Sequence, residues 1–577
     1  MAADRGTGGQ RRHVSRRVAL RAGAAGMGLA GLYLTACGSD KEQTGTGSGQ
    51  GGAAGELRTS TVQAATAKQP KPGGLVTSQL SSAPPSLDPY TQTSFIMWWT
   101  GGFVYSKLLR FKAGVPEVTP ADLTMEPDLA SALPEQPNEL QFTFKLKQAK
   151  FHNLPPVGGR AVTAEDVRYA IDRYLNYEKS VHKSLWSFVD KIEVPDPQTV
   201  VLKTKYPYAD TIQQAGGMYG SYIAPKELAE STEAASRMIG SGPFILKEYQ
   251  TGVSVSYAKN PDYYDKPLPY FDELKLFVTT DQAKRVADFS ARSVNLPYFF
   301  LPDERDQVKR NRPDAKSEEA QGLGQYIYLR TDKPPFNDKR VRQALSMAIN
   351  RKAIRDALTR GEGQPDQILW VGYRDWARPV KDLGPAAKYW DYNPQEARQL
   401  LAAAGASSLT FEWHHADGSV YGQGYVDTAT LTQAQWKEAG VTASDKQEPY
   451  AQYIGTTYQG NYEGVGHSTR AVLDKIDYLS ERLSWDTSKG AAGRARINLS
   501  YVNSPQLNQL LDKQRGQFDL AERKKTVTDI ETICAEEQYE IYFSTETRAF
   551  FWDPDIENFR PRQFYPYIYP VKAWRER

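Results

Sequence analysis

Cysteine is nearly absent: the 577-residue chain holds two, Cys37 and Cys534. Two thiols exclude any multi-cysteine metal site, and modification of the first leaves the second without a partner for an internal disulfide. Cys534 falls at helical spacing with Val527 and Ile530, so it reads as core. A charge field of one sign is missing too. With 71 Lys and Arg against 68 Asp and Glu, the net charge is +3. No broad basic face exists to hold nucleic acid or an anionic membrane, so recognition has to be local. Long apolar runs are equally scarce, and the mean hydropathy is −0.59. The only notable stretch, Ala22 to Leu34, is broken by glycines and too short to span a bilayer comfortably. Against these absences stand 34 Tyr, 21 Phe and 11 Trp. Such rings pack cores, and they stack on small solutes when they line a cleft.

The apolar stretch follows Ser15-Arg16-Arg17-Val18-Ala19-Leu20-Arg21 and stops at Leu34-Thr35-Ala36-Cys37. Positive charge ahead of a short apolar segment reads as an export signal over residues 1–37. The arginine pair suggests the twin-arginine route, although Ala19 stands where Phe is usual, and general secretion stays open. Leu-Thr-Ala-Cys resembles a bacterial lipobox, which implies a diacylglycerol on the Cys37 thiol. Several acyl chains on one residue make a stable anchor where a single chain is marginal. Residues 38–71 are mostly Gly, Ser, Thr, Ala and Gln, too polar to offset the entropy of ordering, and read as a tether of roughly 30 Å reach. The expected location is the extracytoplasmic face of the cell membrane.

The remaining 540 or so residues suggest about three domains on length alone. Gln141 to Lys147 and Val253 to Tyr257 alternate with period two, the pattern of half-buried strands. Thr163 with Asp166 forms a capping-box start, after which Val167, Ala170, Ile171, Tyr174 and Leu175 share a helical face. Asn337 or Asp338 caps a second helix carrying Val341, Ala344, Leu345, Ala348 and Ile349. In a third, Asn393 caps, Pro394 takes the first helical position, and Gly405 ends the helix. The class is mixed α/β.

A series of short motifs runs through these segments. In order they are Gly73-Gly74-Leu75-Val76 with Leu87-Asp88-Pro89, Pro127-Asp128-Leu129-Ala130, Phe144-Lys145-Leu146 leading to Phe151-His152, and Thr163-Ala164-Glu165-Asp166-Val167. Gly240-Ser241-Gly242-Pro243-Phe244 and Asn260-Pro261-Asp262-Tyr263-Tyr264 follow. Then come Pro335-Phe336-Asn337-Asp338-Lys339-Arg340-Val341-Arg342-Gln343-Ala344-Leu345 and Tyr392-Asn393-Pro394-Gln395-Glu396-Ala397. Taken in this order, they resemble the family 5 extracellular solute-binding proteins, the dipeptide and oligopeptide receptors of ABC importers. Each motif also has a local role, since Asp-Pro, Gly-Pro and Asn-Pro set turns and caps, and Arg342 is expected in a structural ion pair.

The resemblance implies a periplasmic-binding-protein-like α/β fold of cluster C type, with two lobes joined by a hinge and an extra domain. By analogy, domain I comprises 72–95, 237–323 and 540–577, domain II is 96–236, and domain III is 324–539. It implies a binding protein rather than an enzyme, without cofactor. Its expected partners are a peptide or peptide-like solute, ABC permease subunits and the membrane through its lipid. The chain is expected to be a monomer.

In the binding loop the chain departs from this family's pattern. Relatives that bind short peptides carry an acid for the α-amine; here the run is Gly466-His467-Ser468-Thr469-Arg470, and Arg470 stands at that position. An arginine repels an ammonium. Asp474 or Asp477 offers a substitute acid. The loop Ala416 to Gly424 lacks the arginine that takes the α-carboxylate in dipeptide binders. Both poles of a zwitterionic dipeptide thus lose their expected partners. Position relative to the family makes Trp98, Trp99, Tyr298, Phe299, Trp370, Trp413, Tyr421, His467 and Arg470 the candidate ligand contacts, with core packing the alternative for each ring.

Three rival readings arise from the same residues. His414, His415 and His467 invite a metal, but no histidine pair has i, i+4 spacing and adjacent strand residues point to opposite faces, so no metal is expected. Gly466-His467-Ser468-Thr469-Arg470 lacks the last glycine of a nucleophile elbow, and no histidine follows His467 to complete a triad. An accessory or scaffold lipoprotein on the same fold is the remaining alternative.

Overall fold

The computed structural model describes residues 68–113, 123–322, 324–373, 375–470, 475–561 and 569–576. The export signal, most of the tether, Cys37 and Asp474 lie outside them. A four-stranded sheet draws its strands from distant parts of the chain. Leu75–Leu80 runs parallel to Glu273–Val278, which pairs antiparallel with Ser254–Lys259 and through it with Phe244–Gln250. The chain between the first two strands forms its own antiparallel sheet, in the order Glu135–Asn138, Gln141–Lys145, Thr199–Thr204, Val189–Asp196. Phe142, Phe144, Val200 and Leu202 point inward there, each at most 1 % exposed. Helix Ala164–Asn176 packs on that sheet, held at its start by the Thr163 N–H donating to Asp166 at 2.9 Å.

The third sheet has five strands, in the order Thr442–Glu448, Thr410–Ala416, Val465–Thr469, Gln325–Leu329, Glu540–Tyr542. The first three are parallel and the last two pairings antiparallel. Glu540–Tyr542 lies beyond residue 539, where the resemblance ends this region. The sheet therefore reaches three residues into the stretch assigned to domain I. Parallel neighbours need crossovers, and helix Gln423–Glu438 supplies the one between the first pair.

Local signals place the helices. Asp338, not Asn337, caps Lys339–Met347 by accepting the Arg340 N–H at 2.9 Å. Asn393 caps Pro394–Ala403 by accepting the Glu396 N–H at 3.0 Å, and Gly405 follows at φ +71°. Arg342 pairs with Glu537 at 3.0 Å and donates to two backbone carbonyls. Cys534 is buried beside Val527 and Ile530. No helix among the described residues is long and apolar enough to cross a membrane.

The Gly240-Ser241-Gly242 motif is a point of backbone approach. A Cβ on Gly240 would stand 2.1 Å from the Val104 carbonyl oxygen, and one on Gly242 2.6 Å from it. The Gly242 N–H donates to that oxygen at 2.8 Å, and the Phe244 N–H to Phe103 O at 2.9 Å. Glycine here seats 103–104 against the entry to strand Phe244–Gln250.

Candidate functional site

Segment 96–236 meets the stretch from Lys475 to Arg523 largely through charge. Arg523 donates to both oxygens of Asp210, at 2.7 and 2.8 Å, and the Asp477 backbone N–H donates to the same carboxylate at 2.7 Å. Asp477 accepts from the Tyr208 hydroxyl at 3.1 Å and the Gln514 amide at 2.7 Å, while Lys475 donates to Tyr208 and Gln214. Asp210, Lys475, Asp477 and Arg523 are each at most 6 % exposed. Burial by itself would raise the Asp210 carboxyl; the Arg523 guanidinium outweighs it and holds the group below its ordinary value.

Next to this network, aromatic rings from both segments converge. Trp98, on helix Phe95–Gly101, donates its indole N–H to Gln92 O at 2.9 Å and stacks on Tyr222 at 4.5 Å. Its edges meet His182 at 5.1 Å and Tyr219 at 5.6 Å. Tyr219 packs against Tyr478 and Ile497 from the other segment. Burial pushes His182 down to about 4, so its imidazole is neutral at physiological pH.

The facing wall is set by strand register. Tyr326 lies opposite both Ser468 and Tyr542, and Tyr328 opposite Glu540, so all share one sheet face. Arg482, from the short helix Tyr478–Leu483, lies over that face, 4.4 Å from the Tyr326 ring centre, 5.4 Å from Tyr478 and 5.7 Å from Tyr542. It pairs with Glu540. Arg470 lies 4.7 Å from the Tyr542 ring centre and 3.4 Å from Asp366, and donates to the carbonyls of Gln367 and Ile368. These four charged residues are at most 2 % exposed. Even so, Arg482 Nε and Nη1, Glu540 Oε1, Arg470 Nε and Asp366 Oδ2 have no hydrogen-bond partner among the described residues. Burial raises the Asp366 carboxyl despite Arg470 beside it. Unmet donors and acceptors at this depth are costly, and a polar guest that satisfies them is bound strongly. The arrangement suits binding. It holds ring faces and charged edges.

The residues expected from sequence fall into several groups. Trp98 and Arg470 belong to the two walls above. Trp99 stacks on Tyr298 at 5.4 Å, Tyr298 meets Phe299 at 4.4 Å, and Phe299 lies 4.0 Å from the Arg548 guanidinium. Trp370 is fully buried and donates to Gly322 O at 3.1 Å. His467 is sandwiched between Trp413 at 5.3 Å and Tyr425 at 4.4 Å, with Tyr421 4.9 Å beyond. This stack occupies the opposite face of the sheet from Arg482, because His467 pairs in register with Ile327 and not with Tyr326. Burial lowers the His467 imidazole well below its ordinary value. Asp477, the substitute acid, is engaged in the network with Tyr208 and Gln514. Among the described residues no three His, Cys, Asp or Glu side chains group as metal ligands. Sequence reasoning missed Arg482, Glu540, Tyr326, Tyr478 and Tyr542. No local signal marked Arg482, which follows Ser480 and Glu481 in the segment Tyr-Leu-Ser-Glu-Arg-Leu and reads there like a solvated charge.

Comparison with known proteins agrees with this architecture. The model of the bacterial extracellular solute-binding proteins, family 5 Middle, matches residues 124–490. Di/tripeptide-binding protein 2 of Pseudomonas aeruginosa is 25% identical over 468 residues, 75% of this chain and 83% of that protein. Heme-binding protein A of Haemophilus influenzae is 26% identical over 461 residues, 74% of this chain and 79% of that protein. Among solved structures, the periplasmic binding protein DppA of Helicobacter pylori in complex with peptide STSA superposes with a TM-score of 0.74 at 19% identity, covering 88% of this chain and 99% of that one. The binding protein AgaA of A. tumefaciens R10 in complex with agropinic acid does so with a TM-score of 0.74 at 24% identity, covering 87% and 99%. These two show the periplasmic-binding-protein fold. By its sequence match and its fold, the chain belongs to the family 5 bacterial extracellular solute-binding proteins.

Proposed function

We propose that this protein is the receptor of an ABC importer: it captures an extracellular peptide or peptide-like solute between segment 96–236 and the body around 324–539, and delivers it to permease subunits. The observation that carries this reading is the buried meeting of two walls, Trp98, His182 and Tyr219 on one side and Tyr326, Tyr478, Tyr542 and Arg482 on the other. Aromatic faces supply contact area and buried charges supply discrimination. The peptide-binding relative and the peptide-bound neighbour support the solute class. The reading includes the domain limits given above, a monomer, and tethering at the outer face of the cell membrane through lipidated Cys37. Closure of the two segments over the guest expels water and commits the solute.

Mass spectrometry of small molecules released from the full chain purified from its own host tests this. A stoichiometric solute is expected, together with a smaller radius of gyration by X-ray scattering when the stripped protein is resupplied with it. A protein that carries no solute and keeps its dimensions in the host's extract would overturn the receptor reading.

A further inference from the structure

Arg482 and Glu540 form an ion pair with free valence on both members. Among the described residues the guanidinium makes one side-chain hydrogen bond, to Glu540 Oε2. Its Nε and Nη1 have no hydrogen-bond partner among the described residues, and neither has Glu540 Oε1. Arg482 is 0 % and Glu540 2 % exposed, so solvent does not satisfy these atoms. Rings of Tyr326, Tyr478 and Tyr542 surround the guanidinium. They engage the cation and leave hydrogen bonding to its in-plane edge, where an acceptor has to lie. The Tyr542 hydroxyl already donates to Glu540 Oε2, which leaves Oε1 as that carboxylate's open acceptor. Unmet donors therefore stand beside an unmet acceptor, on two partners that touch each other.

We infer that the Arg482–Glu540 pair is a subsite for an α-amino-acid head group, a carboxylate and an ammonium carried on one carbon. The ligand carboxylate accepts from Arg482, and the ligand ammonium donates to Glu540 Oε1. A lone carboxylate would meet the repulsion of Glu540, and a lone ammonium that of Arg482; only a head group bearing both satisfies the pair. An ordinary peptide separates its two charges by at least one residue. A side-chain-linked conjugate, which keeps the amine and carboxylate of one amino acid free together, does not. The neighbouring rings, Tyr478 and Tyr219 with Trp98 behind it, favour an apolar or aromatic remainder. This inference rests on the solute-receptor reading and names the chemistry of its guest.

The test uses two isomers of one composition, γ-glutamyl-phenylalanine, whose glutamyl amine and carboxylate share a carbon, and α-glutamyl-phenylalanine, whose α-charges are apart. Calorimetry on the full chain, stripped of bound solute, is expected to show the γ-isomer binding at least about tenfold more tightly. Arg482→Met is expected to abolish that preference. Because the single variant leaves Glu540 unpaired, the double variant Arg482→Met with Glu540→Gln serves as the folded control, its integrity checked by circular dichroism, and it too should lose the preference. Equal affinity for the isomers, tighter binding of the α-isomer, binding of neither, or a preference kept by the folded double variant overturns the subsite. A copurifying solute without an amino-acid head group also overturns it while leaving the receptor reading intact, whereas absence of any solute removes the receptor reading itself.

Discussion

Arg470 shows how much of a residue's role is set by the groups around it. The resemblance sets it where short-peptide receptors carry an acid, which made it a ligand candidate. In the fold its guanidinium is committed to the carbonyls of Gln367 and Ile368 and to Asp366. Replacing it by Asp sets two carboxylates side by side in a buried pocket. The expected loss is roughly 3–5 kcal/mol of stability, the usual result of leaving one member of a buried pair unmatched. Solute affinity should fall with it. Denaturant unfolding of Arg470→Asp measures the first, and an unchanged midpoint would mean that Arg470 points elsewhere. The aromatic candidates were legible as residues that matter, because large rings in so polar a chain must be covered. Which of them face a guest depends on strand register. A shift of one residue would put His467 in place of Ser468 on the Arg482 face.

Caps and tight approaches were the most readable features at the scale of single elements, since their causes lie within a few residues of their effects. Asn393 bonds the Glu396 N–H, and Pro394 needs no partner for an N–H it lacks. Asn393→Ala should cost about 1 kcal/mol, read as a lowered midpoint with no change in solute affinity. The Gly240 motif was visible as a string, but its reason was not: Val104, which a Cβ at 240 would strike, is more than a hundred residues away. Gly240→Ala is expected to cost about 1–3 kcal/mol or more through overpacking against backbone that cannot rotate away. A variant as stable as the parent would show that the turn at 103–104 yields. The strand Glu540–Tyr542 was harder still. Three residues carry too little pattern to read as a strand, and its membership in the five-stranded sheet is decided by Gln325–Leu329.

For the molecule as a whole, the joint at Asp210 and Arg523 is the most consequential contact. It ties segment 96–236 to the body by a buried pair whose members are 313 residues apart. Arg523→Met should leave the Asp210 carboxylate without its cation and favour separation of the two segments; a scattering radius equal to the parent's would refute that role. The pH dependence has a definite sign. Asp210 titrates below its ordinary value when folded, so its contribution is complete above the unfolded value near about 4 and fades as pH falls through the folded one. Between about pH 5 and pH 3 the parent should therefore lose more stability than Asp210→Asn, which has no such proton to take up. Parallel losses in the two proteins would place the acid sensitivity in other carboxylates.

From sequence alone came the mixed α/β class, the family, the helix caps, the expectation of an exported and tethered chain, and the lack of any broad charge field. Each depends on short-range pattern or on composition, which need no knowledge of the folded chain. Tertiary structure decided which face of the sheet Tyr326, Tyr542 and Glu540 occupy, that Arg482 lies over them, and that Asp210 meets Arg523. Those outcomes depend on register and on contacts between residues hundreds of positions apart, and burial then gives the charges their force by removing the water that would otherwise satisfy them.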